Sequence, residues 1–363
     1  MRVVVCTVVH HPADARIYYR QIRALLDAGH QVTYIAPFGE LEDFSERKPP
    51  TLTTVTIPRA VGRRRLGALR AAKAAMAARM AGADLLLVHD PELLLVLPPR
   101  RRRPPTVWDV HEDTAAALTT KAWLPSWLRF AAAGGVHAAE RLAERRLHLI
   151  LAEHGYAARF RGTHPVVPNT TYVPESAAPP GGPRRVVYVG HISPDRGSGE
   201  MVALARLLAP HGIAVELIGP ADTAARAHIE AAGDLVKWHG FVPNEQALRL
   251  TEGALAGLSL LHDEANFAHS MPTKVVEYMA HGVPVITTPL PLAVSLVEGA
   301  DCGFVVPFGD VRAACDAVLR LDADPDLRVT MGARGHDAAS RNLGWPAAAQ
   351  EFVAQLEKWA ASA

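Results

Sequence analysis

Residues 269–288 read HSMPTKVVEYMAHGVPVITT, and this stretch decides the fold. It begins as a polar loop, and Pro272 then stands at the start of a helix, where its missing N–H costs nothing. Gly282 follows the helical run and is the residue type that most often ends a helix. The apolar residues after it predict a buried strand, so the stretch is one loop, helix and strand unit of an α/β protein.

Short β-branched runs alternate with helix-length segments on both sides of this unit, which is typical of parallel sheets covered by helices. In the second half the alternation runs from residue 186 to about 321 and ends in an alanine-rich helical tail. In the first half we expect helices at about 15–28, 66–81 and 126–146, and strands at 2–9, 31–36, 53–57, 84–88, 106–110, 148–151 and 165–168.

Residues 172–185 interrupt the alternation with a run rich in Pro, Gly and Ser, which indicates a linker. The 363 residues are enough for two cores. We therefore expect domains at 1–170 and 186–340, a linker at 171–185 and a C-terminal helix at 341–363. In doubly wound units ligands bind beyond the carboxyl ends of the strands, so the loops after strands are where a site is expected.

Composition excludes several classes of function. The 38 Lys and Arg nearly cancel the 37 Asp and Glu, which argues against a dedicated nucleic-acid binder. Cys6, Cys302 and Cys315 lie far apart, so neither a disulfide framework nor a cysteine zinc site is predicted, and the compartment is expected to be reducing. No apolar run approaches the roughly 20 residues that cross a bilayer. Asp322 and Asp324 have metal-like spacing but end a surface helix, so no metal site is predicted.

The predicted helix from Thr273 is a candidate phosphate site, since a helix N-terminus offers free N–H groups and partial positive charge. Lys274 lies in its first turn, where a cation is disfavoured unless an anion compensates it. Glu277 follows one turn later, within reach of a ribose diol. The alternative is a surface helix with a Lys and a Glu three residues apart.

The first strand of the second half leads into a second candidate turn. Gly190 ends the strand and permits close backbone approach, and Arg196 with Gly197 opens the next helix. A guanidinium there suits bidentate phosphate contact.

Together these segments resemble the nucleotide-sugar half of the family 4 glycosyltransferases of GT-B fold. The family's G-R-x-x-x-x-K-G turn matches here with His191 in place of its arginine and Arg196 in place of its lysine. Its E-x7-E segment matches at Glu277, while the first glutamate falls on His269. A branch of the family with S-x-P-x-K-x-x-E-Y-M-A matches Ser270, Pro272, Lys274, Glu277, Tyr278, Met279 and Ala280.

The first half resembles the same branch. Residues 11–17 match H-P-x-D-x-R-I, residues 89–92 match H-D-P-E, residues 109–112 match D-x-H-E, and residues 167–170 resemble V-P-N-G with Thr170 in place of the glycine. His111 matches the histidine that lies near the reacting anomeric centre in relatives. The alternative for His111 is a histidine that caps a helix at Thr114.

The resemblance implies a GT-B architecture, an α/β fold of two Rossmann-like, doubly wound domains that face each other across a cleft. It also implies that the C-terminal helix at 341–363 crosses back to the first domain. It implies that four residues are catalytic, namely His111, Asp90, Arg196 and Lys274. The donor-binding residues would be Gly190, His191, Arg196, His269, Ser270, Met271, Pro272, Thr273, Lys274 and Glu277. The acceptor-binding residues would be His11, Asp14, Arg16 and Asn169.

The activity implied is retaining transfer of a sugar from a nucleoside-diphosphate sugar to a hydroxyl-bearing acceptor, without a metal or a bound cofactor. The acceptor would be a natural product or a cell-envelope glycan or lipid. Because His269 replaces a carboxylate that touches the donor sugar in relatives, a non-catalytic nucleotide-sugar-binding module is the alternative, with an epimerase of the same fold as another. The oligomeric state is left open.

Basic runs at 63–65 and 100–103, with the Trp-rich segment 123–129, lie in the first half. Clustered Arg with Trp is typical of proteins that rest on an anionic bilayer, which suggests a cytoplasmic protein with peripheral membrane contact. The alternative is a solvated face beside packed tryptophans.

Overall fold

The computed structural model describes residues 1–40, 49–111, 113–115, 126–179, 181–265, 267–268 and 270–362, with only the backbone at 40 and 126–131. The chain divides into two compact units. The first comprises Met1–Asn169 together with Pro346–Ala363, and the second is Thr170–Trp345. None of the described helices is long and apolar enough to cross a membrane.

The first unit is built on a six-stranded parallel sheet with the order β3-β2-β1-β4-β5-β6. Its central strands are almost wholly buried, because helices cover both faces and the strand sequences are runs of Val, Leu and Ile. The strands are β1 (Arg2–Cys6), β2 (Gln31–Ala36), β3 (Leu52–Thr56), β4 (Leu85–Val88), β5 (Thr106–Val110) and β6 (His148–Leu151).

The helices of the first unit begin with a π-helix at Ala15–Ile22 that continues into α1 (Arg23–Asp27). Asp14 starts the π-helix, since its side chain accepts hydrogen bonds from the backbone N–H groups of Arg16 and Ile17. The other helices are α2 (Arg65–Ala77), α3 (Ser126–Glu144) and, from the end of the chain, α11 (Trp345–Ala361).

The second unit repeats the plan with the parallel order β12-β11-β10-β7-β8-β9. Its strands are β7 (Arg185–Val189), β8 (Ala214–Ile218), β9 (Val236–Trp238), β10 (Ala256–Ser259), β11 (Val285–Thr287) and β12 (Gly303–Val305). Its helices are α4 (Ser198–Leu208), α5 (Thr223–Ala232), α6 (Asn244–Arg249), α7 (Thr273–Ala280), α8 (Pro291–Ala300), α9 (Val311–Ala323) and α10 (Pro325–Asn342).

The predicted class, two parallel α/β units, is confirmed. Three local predictions were wrong. Residues 165–168 form a single bridge, between Leu151 and Val166, instead of a strand. The helix expected at 15–28 is largely a π-helix. Strand β1 ends at Cys6 instead of residue 9, and the Thr7 hydroxyl and the Val8 N–H donate to Asp90.

Candidate functional site

Glycine shapes the loop that follows the central strand β7. Gly190 has φ 123°, a backbone conformation that residues with a side chain rarely adopt. Its carbonyl oxygen lies only 2.0 Å from where a Cβ of Gly219 would stand, so the loops after β7 and β8 are in backbone contact. The loop after β7 therefore passes close to Lys274, whose Cε lies 3.9 Å from the position of a Gly190 Cβ.

Arg196 is placed by a short 3₁₀ turn, Pro194–Arg196, ended by Gly197 with φ 85°. A Cβ on Gly197 would lie 2.3 Å from the Leu260 carbonyl oxygen, so the turn is pressed against the end of β10. The Arg196 guanidinium carbon lies 5.5 Å from the centre of the Phe267 ring. The predicted turn thus carries its arginine at the carboxyl edge of the sheet.

Helix α7 brings Lys274 to the same edge. Lys274 is 6% exposed, and its ammonium nitrogen lies 5.1 Å from the centre of the Tyr188 ring. Burial, and then the charge of Arg196, lower the pKa of Lys274 to about 7, against a smaller opposing effect of Glu277. Among the described residues no carboxylate forms an ion pair with this ammonium group.

Hydrogen bonds of Tyr188 and Tyr278 hold the end of β7, the loop after it and β10 together. The Tyr188 hydroxyl donates to the His191 carbonyl oxygen at 2.7 Å. The Tyr278 hydroxyl accepts from the Val189 N–H at 2.9 Å and donates to the Leu258 carbonyl oxygen at 3.2 Å. Burial raises the pKa of both hydroxyls, so both stay neutral hydrogen-bonding groups.

Glu277 is buried on α7, one turn after Lys274, and its Oε1 accepts a long hydrogen bond, 3.4 Å, from Asn244 Nδ2. The remaining predicted donor residues lie around the start of α7, except His191, which lies in the loop after β7. The structure places Pro272 in the interior, leaves Ser270, Met271 and Thr273 half-buried, and exposes His191. His269 lies outside the described residues, so its predicted role stays a prediction.

In the first unit the carboxyl ends of β4 and β5 carry an ion-pair network around Asp109. The wholly buried Asp109 carboxylate receives Arg16 Nε at 2.8 Å and Arg16 Nη2 at 2.7 Å, a bidentate pair. Arg16 Nη1 donates to the Val167 carbonyl oxygen and to Asn169 Oδ1, both at 2.9 Å. Burial alone would raise the pKa of Asp109, but the charge and hydrogen bonds of Arg16 hold this pKa well below its usual range.

This network changes the interpretation of Arg16 and Asn169. Both are predicted acceptor ligands, but the structure uses the Arg16 guanidinium to join the π-helix to β5 and to residues 167–169. A contribution of either residue to acceptor binding stays a prediction.

Three histidines surround Asp109 and Asp90. His89 Nδ1 lies 3.2 Å from Asp109 Oδ2, and His111 Nδ1 lies 3.1 Å from the Asp109 carbonyl oxygen. His10 Nε2 lies 3.0 Å from His111 Nε2 and 3.3 Å from Asp90 Oδ1. A continuous path of polar contacts thus runs from Arg16 through Asp109, His111 and His10 to Asp90.

Asp90 and Asp14 flank this path. The buried Asp90 carboxylate accepts from the Thr7 hydroxyl at 2.9 Å and from the Val8 N–H. Asp14 Oδ2 lies 3.9 Å from His10 Nδ1. Burial would raise the pKa of Asp14, but the charge of His10 and the N–H groups of the π-helix lower it. His11 is half-buried, and its Nδ1 accepts from the Ala13 N–H at 3.2 Å.

His89, Asp109 and His111 also place one nitrogen or oxygen each within 4.8 Å of one another, a grouping that could hold a metal ion. Both oxygens of Asp109 already receive N–H groups of Arg16, so a cation here would lie against a guanidinium. The geometry therefore fits a protein hydrogen-bond network better than a metal site.

Several site residues were not predicted from the sequence. His10, His89, Asp109, Tyr188 and Asn244 belong to the two clusters. Asp109 lies within the predicted D-x-H-E segment and His10 precedes a predicted acceptor residue, so their positions were signalled, but their partners were not.

Two family models match the chain. The description of the first is Glycosyltransferase Family 4, over residues 15–159, and that of the second is Glycosyl transferases group 1, over residues 183–324. The chain belongs to the group 1, family 4 glycosyltransferases. The first match includes Arg16, Asp90, Asp109 and His111, and the second includes Arg196, Lys274 and Glu277, while the branch segment at 270–280 is not tested by them.

A relative of this glycosyltransferase is the amylovoran biosynthesis glycosyltransferase AmsK of Erwinia amylovora, which is 31% identical over 146 residues. These are 38% of this chain and 36% of AmsK. The chain spans less than half the length of the curated relatives it matches.

Solved structures share the fold. The sucrose-phosphate synthase from Thermosynechococcus elongatus is 20% identical and aligns with a TM-score of 0.77 over 100% of this chain and 99% of that one. HepE of Anabaena, in complex with UDP and glucose, is 15% identical with a TM-score of 0.68 over 99% and 100% of the two chains. These likenesses confirm the GT-B fold.

Proposed function

We propose that this glycosyltransferase moves a sugar from a nucleoside-diphosphate sugar to a hydroxyl-bearing acceptor, with retention of anomeric configuration and without a metal. The observation that carries the proposal is Lys274. Its ammonium group is buried beside the Arg196 guanidinium, and among the described residues it has no carboxylate as an ion-pair partner. A buried cation is costly unless it is paired, so this place in the fold suits an anionic ligand.

A diphosphate is the anion that fits these groups. Arg196 offers a planar fork that matches two phosphate oxygens, Lys274 offers a compact point charge, and the first N–H groups of α7 point to the same edge. In the reaction, negative charge grows on the leaving diphosphate. Fixed cations at that point stabilise the transition state more than the ground state.

The nucleoside would lie one turn along α7. The buried Glu277 carboxylate, with Asn244 at 3.4 Å, can accept hydrogen bonds from both hydroxyls of a ribose. The HepE structure contains UDP and glucose, which supports a nucleotide sugar as the donor.

The first unit would hold the acceptor. Its carboxyl edge presents His111, Asp90 and Asp14 in one polar cluster, and hydroxyl groups of a glycan are recognised by such donors and acceptors. By its name AmsK works in the biosynthesis of a polysaccharide, which supports a glycan or glycan-lipid acceptor.

Retention is proposed from the likeness to family 4. The acceptor hydroxyl would attack the face that the diphosphate leaves, and the departing phosphate would take the hydroxyl proton. Lys274 and Arg196 then hold the diphosphate, while His111 and Asp90 orient the reacting sugar and acceptor.

Calorimetric titration with UDP, GDP and ADP, followed by measurement of nucleotide release from their sugars, tests this function. K274M and R196M should each weaken binding of the preferred nucleotide by about 10- to 100-fold, the value of one charge-assisted hydrogen bond. The matched controls K237M and R206M remove exposed cations of the same unit and should leave binding unchanged.

Unchanged nucleotide binding in K274M and R196M would show that the anion lies elsewhere. Tight nucleotide-sugar binding without release of nucleotide, with or without acceptor sugars, would instead favour the binding module. Conversion of the bound sugar to its epimer would favour the epimerase.

A further inference from the structure

Seven arginines gather at the amino edge of the first sheet, the edge opposite the site residues. They lie in two segments. One segment leads into β5 and the other closes α3 and leads into β6, and the parallel pairing of Val107 with His148 places both strand starts side by side. The arginine edge, as we name it, comprises Arg100, Arg101, Arg102, Arg103, Arg141, Arg145 and Arg146.

These arginines lack partners among the residues that the structure describes. Within the described part of the chain, none of the seven guanidinium groups has a hydrogen-bond or ion-pair partner. The acids of α3 are engaged elsewhere. Glu140 binds Arg159 and His137, and Glu144 accepts the N–H of Gly162 at 2.7 Å and binds His164. Among the described residues, therefore, no carboxylate neutralises the positive charge of this edge.

Arg103 is the one arginine of this edge that is partly buried. Its Nε and one of its terminal nitrogens are buried and have no hydrogen-bond partner in the described part of the chain. Burial, and then the like charges of Arg100 and Arg146, lower its pKa. Burying an unpaired guanidinium nitrogen is unfavourable, so an anion at this edge would stabilise the arrangement.

Apolar groups accompany the charges. Leu142 is 47% exposed and lies in the turn of α3 between Arg141 and Arg145. Trp359 of α11 stacks on His148, the first residue of β6, with ring centres 4.7 Å apart and planes at 18°. An exposed leucine and an interfacial tryptophan among arginines are typical of surfaces that meet lipid headgroups.

The arginine edge is distinct from the site of the reaction. Asp109 and His111 lie at the carboxyl end of β5, and five strand residues at about 3.3 Å each put the two edges about 15 Å apart. The substrate phosphates expected near the reacting groups are therefore not the partners of these arginines.

We infer that the arginine edge docks the protein onto the anionic face of a phospholipid bilayer. Six of the seven arginines are exposed and they are spread over two segments, which suits an extended surface of phosphates better than one enclosed phosphate. Charge complementarity selects the partner, since each basic residue near an anionic membrane strengthens binding by about fivefold. Docking here leaves the carboxyl edge of the sheet free for the acceptor.

Vesicle sedimentation of the full chain tests the inference. The protein should sediment with phosphatidylcholine vesicles that contain one third phosphatidylglycerol, less so at high salt, and not with pure phosphatidylcholine. The variant R100S/R101S/R102S should bind about a hundredfold more weakly. The control R206S/R249S/R312S removes the same charge from exposed arginines of the second unit and should bind within about threefold of the parent.

A second variant, R145S/R146S, removes charge from the other segment of the arginine edge and should also weaken vesicle binding. Unfolding temperatures show whether each variant is folded. Equal loss in the control triple, or sedimentation that depends on salt but not on the arginine edge, would overturn the inference. So would binding to heparin without binding to anionic vesicles. The assay contains no nucleotide, so its outcome is independent of the proposed donor site.

Discussion

The Nε2 atoms of His10 and His111 lie 3.0 Å apart. His111 Nδ1 lies 3.1 Å from the Asp109 carbonyl oxygen, which can only accept, so this nitrogen carries the proton. In neutral His111 the Nε2 is then an acceptor, and His10 must donate to it. His10 thereby fixes the direction of the hydrogen bond at the residue predicted to lie near the reacting anomeric centre.

Substitutions of His10 test this relationship. In H10Q the amide nitrogen can still donate to His111, so turnover should stay within about threefold, whereas H10F removes the donor and should lower kcat by about 10- to 100-fold. Steady-state kinetics with saturating donor measure the effect. Full activity of H10F would refute the positioning role, and equal loss in H10Q and H10F would show that His10 must exchange a proton.

The buried Arg16 and Asp109 pair should support the fold of the first unit. Removing one partner leaves the other charge buried, so R16M and D109N should each lower the free energy of unfolding by about 3–5 kcal/mol. The double variant R16M/D109N should lose less than the sum of the two, as a double-mutant cycle from urea unfolding would measure. Additive losses would mean that the pair is not coupled.

The same pair predicts an acid-sensitive stability. The pKa of Asp109 is well below its usual value in the folded protein, so the unfolded chain binds a proton first as pH falls. The stabilisation is therefore complete above the unfolded pKa of about 3.9 and is lost as pH falls below it. The free energy of unfolding of D109N should vary less with pH across this acidic range than that of the parent, as urea titrations at each pH would show.

Much of the second unit could be predicted from local sequence. The positions of Gly190, Arg196 and Lys274 follow from strand, turn and helix signals within a few residues of each. Parallel topology then brings the ends of β7 and β10 and the start of α7 to one edge. The sequence could not show that no described carboxylate pairs with Lys274, because that depends on which side chains fold around it.

The cluster of the first unit was less predictable. Arg16 and Asp109 are 93 positions apart, and His10 and His111 are 101 apart. Motifs mark each residue as polar and near a strand end, but one chain without an alignment contains no signal that pairs them. The motif predicts that Arg16 binds the acceptor, but it did not indicate that the Arg16 guanidinium is buried and paired with Asp109.

Gly197 offers a test of the turn that carries Arg196. Its φ of 85° and the Leu260 carbonyl oxygen 2.3 Å from a Cβ position both oppose a side chain. G197A should therefore lower the free energy of unfolding by about 1–3 kcal/mol and weaken nucleotide binding by displacing Arg196. In the control G299A, on helix α8 with open space around its Cβ position, the protein should gain up to about 1 kcal/mol. Equal stability of both variants in thermal unfolding would contradict the close packing of the turn.

Lys274 predicts that nucleotide binding takes up a proton. Its pKa is about 7 in the free protein, below the value of about 10.4 for an unfolded chain. Between these values the unfolded chain holds a proton that the folded protein lacks, so stability of the free protein rises with pH across this window. A bound diphosphate favours the charged form, so affinity should fall as pH rises above about 7.

Calorimetry at pH 8, in buffers of different ionisation enthalpy, measures that uptake directly. The parent should take up close to one proton for each bound diphosphate, since the phosphates themselves are already ionised there. K274M should take up none, and R196M should take up less than the parent but more than K274M, because loss of the Arg196 charge raises the pKa of the free amine while its burial remains. Equal uptake in K274M and the parent would assign the proton to another group and would remove Lys274 from contact with the phosphates.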